Sequence, residues 1–80
     1  MSWYVYMVRC RDNSLYTGST DDVARRLAVH NAGKGAKYTR SRLPVSLAYR
    51  EECPDKSAAL KREYAIKHLT KAQKELLISK

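Results

Sequence analysis

The run Trp3-Tyr4-Val5-Tyr6-Met7-Val8 places the strongest constraint on this chain. Read as a strand, its alternation sends Trp3, Val5 and Met7 to one face and Tyr4, Tyr6 and Val8 to the other. Both faces are apolar or aromatic, so the strand needs cover on both sides. The chain has 80 residues, which is enough for one domain, taken as residues 1–80, with a limited core. The rest of the sequence has to supply that cover.

Arg11-Asp12-Asn13-Ser14 is turn chemistry, because Asp and Asn tolerate tight bends. Leu15 to Gly18 returns as a second strand, giving a hairpin over residues 3–19. Thr20, Asp21 and Asp22 are all suited to start a helix. That helix is expected to run to about Ala32 and stop at Gly33. Its apolar stripe reads Val23, Ala24, Leu27 and Ala28, with Arg26 and His30 at the edge and Arg25 further out. Residues 33–44 read as a loop, and Val45 to Arg50 as a third strand with Leu47 and Tyr49 on one face. A second helix covers roughly Lys56 to His68, after Asp55 or Ser57 as cap. Thr70 and Gln73 make a capping box for a last helix through Ile78. The expected fold class is α+β: a small three-stranded antiparallel sheet flanked by helices, in the order β-β-α-β-α-α.

Lys and Arg number 16 against 8 Asp and Glu, a net charge of +8. An excess of that size on so small a domain points to a polyanionic partner. The loop holds Lys34, Lys37, Arg40 and Arg42 around Tyr38 with no acid among them, a pattern suited to tracking a nucleic-acid backbone. Cys10 and Cys53 make no disulfide framework and have no metal-ligand spacing with the histidines. With no signal-peptide pattern at the start and no apolar run long enough to span a bilayer, a cytoplasmic location and no membrane partner are expected.

Three groups carry candidate chemistry. Arg26 and His30 lie four residues apart on one helix, hence one turn apart on one side. An arginine there can bind a phosphate oxygen through two donors, and a histidine can carry a proton near neutral pH. Glu63 follows Leu60 by three residues and precedes Ile66 by three, so a carboxylate shares an apolar face. It either pairs with Lys67 at i,i+4 or ligates a hard cation such as Mg²⁺. Tyr4, Tyr6 and Tyr16 read as strand aromatics. Using one as a base requires nearby positive charge, because an unperturbed tyrosine titrates near 10.

These residues, in this order and spacing, resemble the GIY-YIG nuclease superfamily, and in particular its small single-domain bacterial YhbQ-like group. The two family motifs fall on Tyr4-Val5-Tyr6 and Tyr16-Thr17-Gly18, the arginine on Arg26, the histidine on His30 and the later glutamate on Glu63. The segment Gly35-Ala36-Lys37-Tyr38-Thr39-Arg40, followed by Pro44, is similar to the loop of the small-protein group. The first-motif glycine is replaced by Tyr4 and the middle of the second motif is Thr17. The late asparagine of many family nucleases has no counterpart, since the asparagines here are Asn13 and Asn31.

The resemblance implies a divalent-metal-dependent endonuclease hydrolysing phosphodiester bonds in DNA, in repair or processing of DNA structures. Glu63 would hold one Mg²⁺ or Mn²⁺ ion and Tyr6 would activate water with help from His30 or Tyr16. Arg26 would stabilise phosphoryl charge, and Tyr4 and Gly18 would be structural. Arg25, Lys34, Lys37, Tyr38, Arg40 and Arg42 would contact nucleic acid. No small-molecule cofactor is implied, and the assembly is expected to be a monomer or weak dimer. The absent asparagine leaves a second expectation: a nucleic-acid-binding module of the same fold with weak or no catalysis.

Overall fold

A computed structural model of the chain describes residues 2–80. Strand β1 (Trp3–Arg9) is the middle strand of a three-stranded antiparallel sheet, between β2 (Leu15–Thr20) and β3 (Ser46–Cys53). Its two-faced sequence explains that position. Val5 and Met7 pack with Leu15, Cys53, Ala59 and Ile66 beneath helices α3 (Lys56–Lys67) and α4 (Lys71–Ile78). Tyr6 and Val8 pack on the opposite side with Cys10, Val45 and Leu27, the last from helix α1 (Val23–Asn31). The sheet thus separates two small cores. Cys10 and Cys53 are buried, unbridged, and belong to different cores.

The helix starts follow the expected cap chemistry. Asp22 accepts from the Arg25 amide at 3.1 Å and Asp55 from the Ala58 amide at 2.8 Å. Thr70 and Gln73 form the full capping box. Gly33, at φ +78°, takes the left-handed turn that ends α1. Arg9 fastens α4 to the sheet with two hydrogen bonds of 2.7 Å to the Glu75 carboxylate. That contact, with Lys71, holds the Glu75 carboxyl down to about 2.

Four expectations need correction. Residues 33–44 are not all loop, for Lys37–Arg40 form a short helix, α2, giving the order β-β-α-α-β-α-α. The Ala36 carbonyl holds that turn, accepting from the Thr39 and Arg40 amides and the Thr39 hydroxyl. Strand β3 continues through Glu51 and Glu52 to Cys53, because these residues pair with Val5, Tyr4 and Trp3 of β1; Tyr49 and Arg62 bond the Glu51 carboxylate. Leu47 and Tyr49 do not share a face. The register jumps from Met7–Tyr49 to Val8–Leu47, which makes Ala48 the extra residue of a bulge and leaves Leu47 exposed. Finally, Ala24 and Ala28 are exposed, and the inward side of α1 is Val23, Arg26, Leu27 and His30. Alanine has little surface to bury, whereas His30 finds polar partners inside.

Candidate active site

The sheet face that carries Tyr6 also carries Tyr16 and Gly18, because Tyr6 pairs with Gly18 and Val8 with Tyr16 across the hairpin. Gly18 matters for what it lacks. A Cβ there would lie 2.5 Å from the Tyr6 hydroxyl and 2.7 Å from Cζ, so only glycine lets the Tyr6 ring lie across β2. Helix α1 then brings His30 over the same face. Its ring centroid is 6.0 Å from that of Tyr6 and 5.5 Å from that of Tyr16, edge-on to both.

His30 is fully buried and held at both nitrogens. The Thr39 hydroxyl lies 2.9 Å from the Ala36 carbonyl and 2.9 Å from Nδ1 of His30; with its proton on the carbonyl it accepts from Nδ1–H. The proton on Nδ1 leaves Nε2 as a lone pair, and the Tyr6 hydroxyl donates to it at 2.9 Å. In this arrangement the tautomer is set by the Thr39 hydroxyl, whose proton is placed on the Ala36 carbonyl. A second glycine sits behind this arrangement: a Cβ on Gly35 would collide with Nδ1 of His30.

The charges agree with a neutral resting pair. Burial raises the Tyr6 hydroxyl above its ordinary value, against the lowering influence of Arg26. Burial, then the Arg26 charge, lowers His30. Tyr6 therefore carries its proton at neutral pH and His30 carries one only. This has a thermodynamic consequence. An unfolded histidine protonates near 6.5, while the folded one resists, so the unfolded state binds more protons below that value. Stability is expected to be full above about pH 6.5 and to fall as the pH drops toward the lowered folded value. Urea unfolding between about pH 7.5 and 5.5 measures that slope, and His30→Gln should flatten it.

Arg26 is half-buried and lines, with Thr20, Asp21, Asp22, Arg25 and Val29, a hollow of about 220 Å³ at the start of α1. Glu63 reaches the site differently. Helix α3 covers the other side of the sheet, but β2 is an edge strand, and Glu63 meets it at that open edge. The Ser19 hydroxyl donates to Oε1 at 2.6 Å, and the Lys67 ammonium lies 2.7 Å from Oε2. Glu63 is close enough for its charge to add to the upward pressure on the Tyr6 hydroxyl. The i,i+4 pair foreseen with Lys67 is therefore present, and the carboxylate's charge also reaches Tyr6.

Among the other residues singled out, Tyr38 stacks with Tyr16 at 6.0 Å between centroids. The Arg42 guanidinium lies over the Tyr38 ring at 3.9 Å and bonds Asp12 at 3.0 Å, so it ties α2 to the hairpin turn. Lys34, Lys37 and Arg40 have no acidic partner within ion-pair distance among the described residues, and Arg25 is exposed. Tyr4 lies under the Arg50 guanidinium. Both asparagines are committed elsewhere. Asn31 bonds the backbone of Val45 at both its amide and its carbonyl, and Asn13 sits at φ 70° in the turn. Thr39, Gly35, Ser19 and Lys67 do not stand out in the sequence as site residues. Thr39 and Gly35 lie within the segment that carried the resemblance.

Residues 2–76 match the GIY-YIG catalytic domain. The chain belongs to that family, a family of nucleases. Within it, this GIY-YIG chain is 56% identical over 78 residues to a UPF0213 protein of Desulfotalea psychrophila, covering 96% of this chain and 71% of the relative. Two solution NMR structures share the fold. One is a UPF0213 protein from Bacillus halodurans, at 49% identity and TM-score 0.63, and the other a protein from E. faecalis, at 43% and 0.66. Each comparison covers 99% of this chain and 84% of the other. No helix among the described residues is long and apolar enough to cross a membrane.

Proposed function

We propose that this GIY-YIG domain is a divalent-metal-dependent endonuclease that hydrolyses phosphodiester bonds in DNA. The observation that carries the reading is the one-way hydrogen-bond chain from Tyr6 through His30 to Thr39 and Ala36. A neutral imidazole with its lone pair on a tyrosine hydroxyl can accept that proton as the hydroxyl takes one from water. Because Tyr6 is raised rather than lowered, it acts as a relay and not as a preformed anion. Thr39 keeps the ring oriented while its charge changes. Arg26 supplies guanidinium donors for the phosphoryl oxygens as they gain charge. Tyr16 frames the site through ring contacts.

The donor set fits a magnesium-like ion bound sparingly. No group of three or more His, Cys, Asp or Glu side chains converges among the described residues, and Mg²⁺ characteristically uses one or two carboxylates with waters and substrate phosphates. Glu63 is the carboxylate that would hold it, and its Oε2 already faces a cation, Lys67. When bound, the ion would polarise a phosphoryl oxygen or lower the pKa of a water. The same ion pair favours the second reading, a nucleic-acid-binding module in which Lys67 stays on Glu63.

One panel separates the two readings. Labelled DNAs of different geometry are incubated with Mg²⁺ or Mn²⁺ and either the parent chain or Glu63→Ala. The endonuclease reading expects the parent to cut and Glu63→Ala to lose cleavage by at least roughly a hundredfold while still binding. Salt-sensitive binding without cleavage under either metal supports the binding module. Equal cutting by the two proteins removes Glu63 from the metal site.

A further inference from the structure

Beside the catalytic face, a second hollow of about 330 Å³ opens at the free edge of β2, lined by Leu15, Tyr16, Thr17, Tyr38, Lys67 and Lys74. It is continuous with the site through Tyr16, whose ring meets His30 on one side and runs nearly parallel to Tyr38, at 23°. Two features of its wall lack an internal explanation. Lys74 is half-buried yet has no carboxylate within ion-pair distance among the described residues, since neighbouring Glu75 is engaged by Arg9 and Lys71. Thr17 is 2% exposed, and its hydroxyl has no hydrogen-bond partner among the described residues, although buried hydroxyls almost always have one. Tyr38, though stacked with Tyr16 and covered by the Arg42 guanidinium, still keeps 39% of its surface in solvent.

Aromatic surface, an apolar floor at Leu15 and two ammonium groups from different helices make a complementary site for a flat heterocycle attached to a phosphate. The hollow is at the small end of ligand pockets, sized for one nucleotide. A base paired within a duplex cannot enter it, because its faces are already stacked. Resting on the nuclease reading above, we propose that this hollow receives one unpaired nucleotide of the DNA next to the cleaved bond. Its base lies against the part of the Tyr16–Tyr38 wall left open beside His30 and Arg42, its phosphate near Lys74 and near Lys67, which keeps its Glu63 contact, and the Thr17 hydroxyl, closed off in the free protein, gains a partner. The favoured substrate class is DNA with a bulge, flap or frayed end beside a duplex.

Binding is measured in EDTA, so that cutting does not interfere, to a paired duplex and to the same duplex with one extra unpaired 2-aminopurine nucleotide. The bulged duplex should bind roughly tenfold more tightly, with the 2-aminopurine fluorescence changing on binding as the base leaves its free environment. Lys74→Gln and Thr17→Val should each narrow that gap. Thr17→Val should leave the melting temperature unchanged or raised, since it removes an unpartnered hydroxyl and keeps the side-chain shape. Equal affinity of the parent chain for the two duplexes overturns the nucleotide site and leaves the nuclease reading standing. So does an equal loss on both duplexes in the two variants. No binding to either DNA overturns both.

Discussion

Tyr6→Phe should slow cleavage by roughly a hundredfold to ten-thousandfold, the range a positioned proton-transfer group contributes, and leave DNA affinity near the parent value. The reason is geometric. The Phe ring fills the space that Gly18 opens and remains in the core with Val8 and Val45, so the fold persists. What is lost is the hydroxyl on Nε2 of His30. On the proposed mechanism, removing it breaks the route by which a proton leaves the attacking water; it also leaves the buried nitrogen without a donor, at a stability cost of about 1–3 kcal/mol. Single-turnover rates together with a binding isotherm check the split. A variant that cuts at the parent rate would show that Tyr6 is only a packing residue.

Gly35→Ala is expected to damage activity far more than its distance from any reacting atom suggests. The added methyl would overlap Nδ1 and two ring carbons of His30, and the ring or the α2 segment must move. Overpacking of this kind costs about 1–3 kcal/mol, and displacement of the ring separates Nδ1 from Thr39. Cleavage should fall roughly a hundredfold, following the usual sensitivity to a misplacement of about 1 Å. Gly33→Ala is the matching control. Gly33 has φ +78°, but a Cβ on it would meet nothing within 4 Å. Its substitution therefore strains the backbone by about 1 kcal/mol and should spare the rate. Melting temperature and rate, measured for both variants, separate the effects. Equal rates in the two variants would mean that His30 is not held from behind.

The framework of this site is local, and local patterns are what a sequence displays. The two-faced run of β1 demands cover on both sides and receives it. Asp22, Asp55 and the Thr70–Gln73 box mark helix starts because capping acts within three residues. Glu63 stands out because a carboxylate on an apolar helix face needs a partner. The connections hidden in the sequence are long-range. His30 can be assigned to an edge of α1, but its burial depends on Tyr6, 24 residues earlier, and Thr39, nine later. Helical periodicity carries neither. The bulge at Ala48 moves Leu47 and Tyr49 to different faces through a register shift that no propensity announces. Thr39 looks like one more polar residue in a basic segment, because its value lies in a carbonyl three residues back and an imidazole on another helix.

Whether Tyr6 and His30 form one proton path is tested most directly by a double-mutant cycle on cleavage. Tyr6→Phe, His30→Gln and the double variant are compared with the parent under single turnover, on the same DNA and metal. If the two side chains act as a unit, the double variant is about as slow as the slower single one, because the second substitution removes nothing further. If the two rate penalties multiply, the residues act independently and the single proton path is wrong.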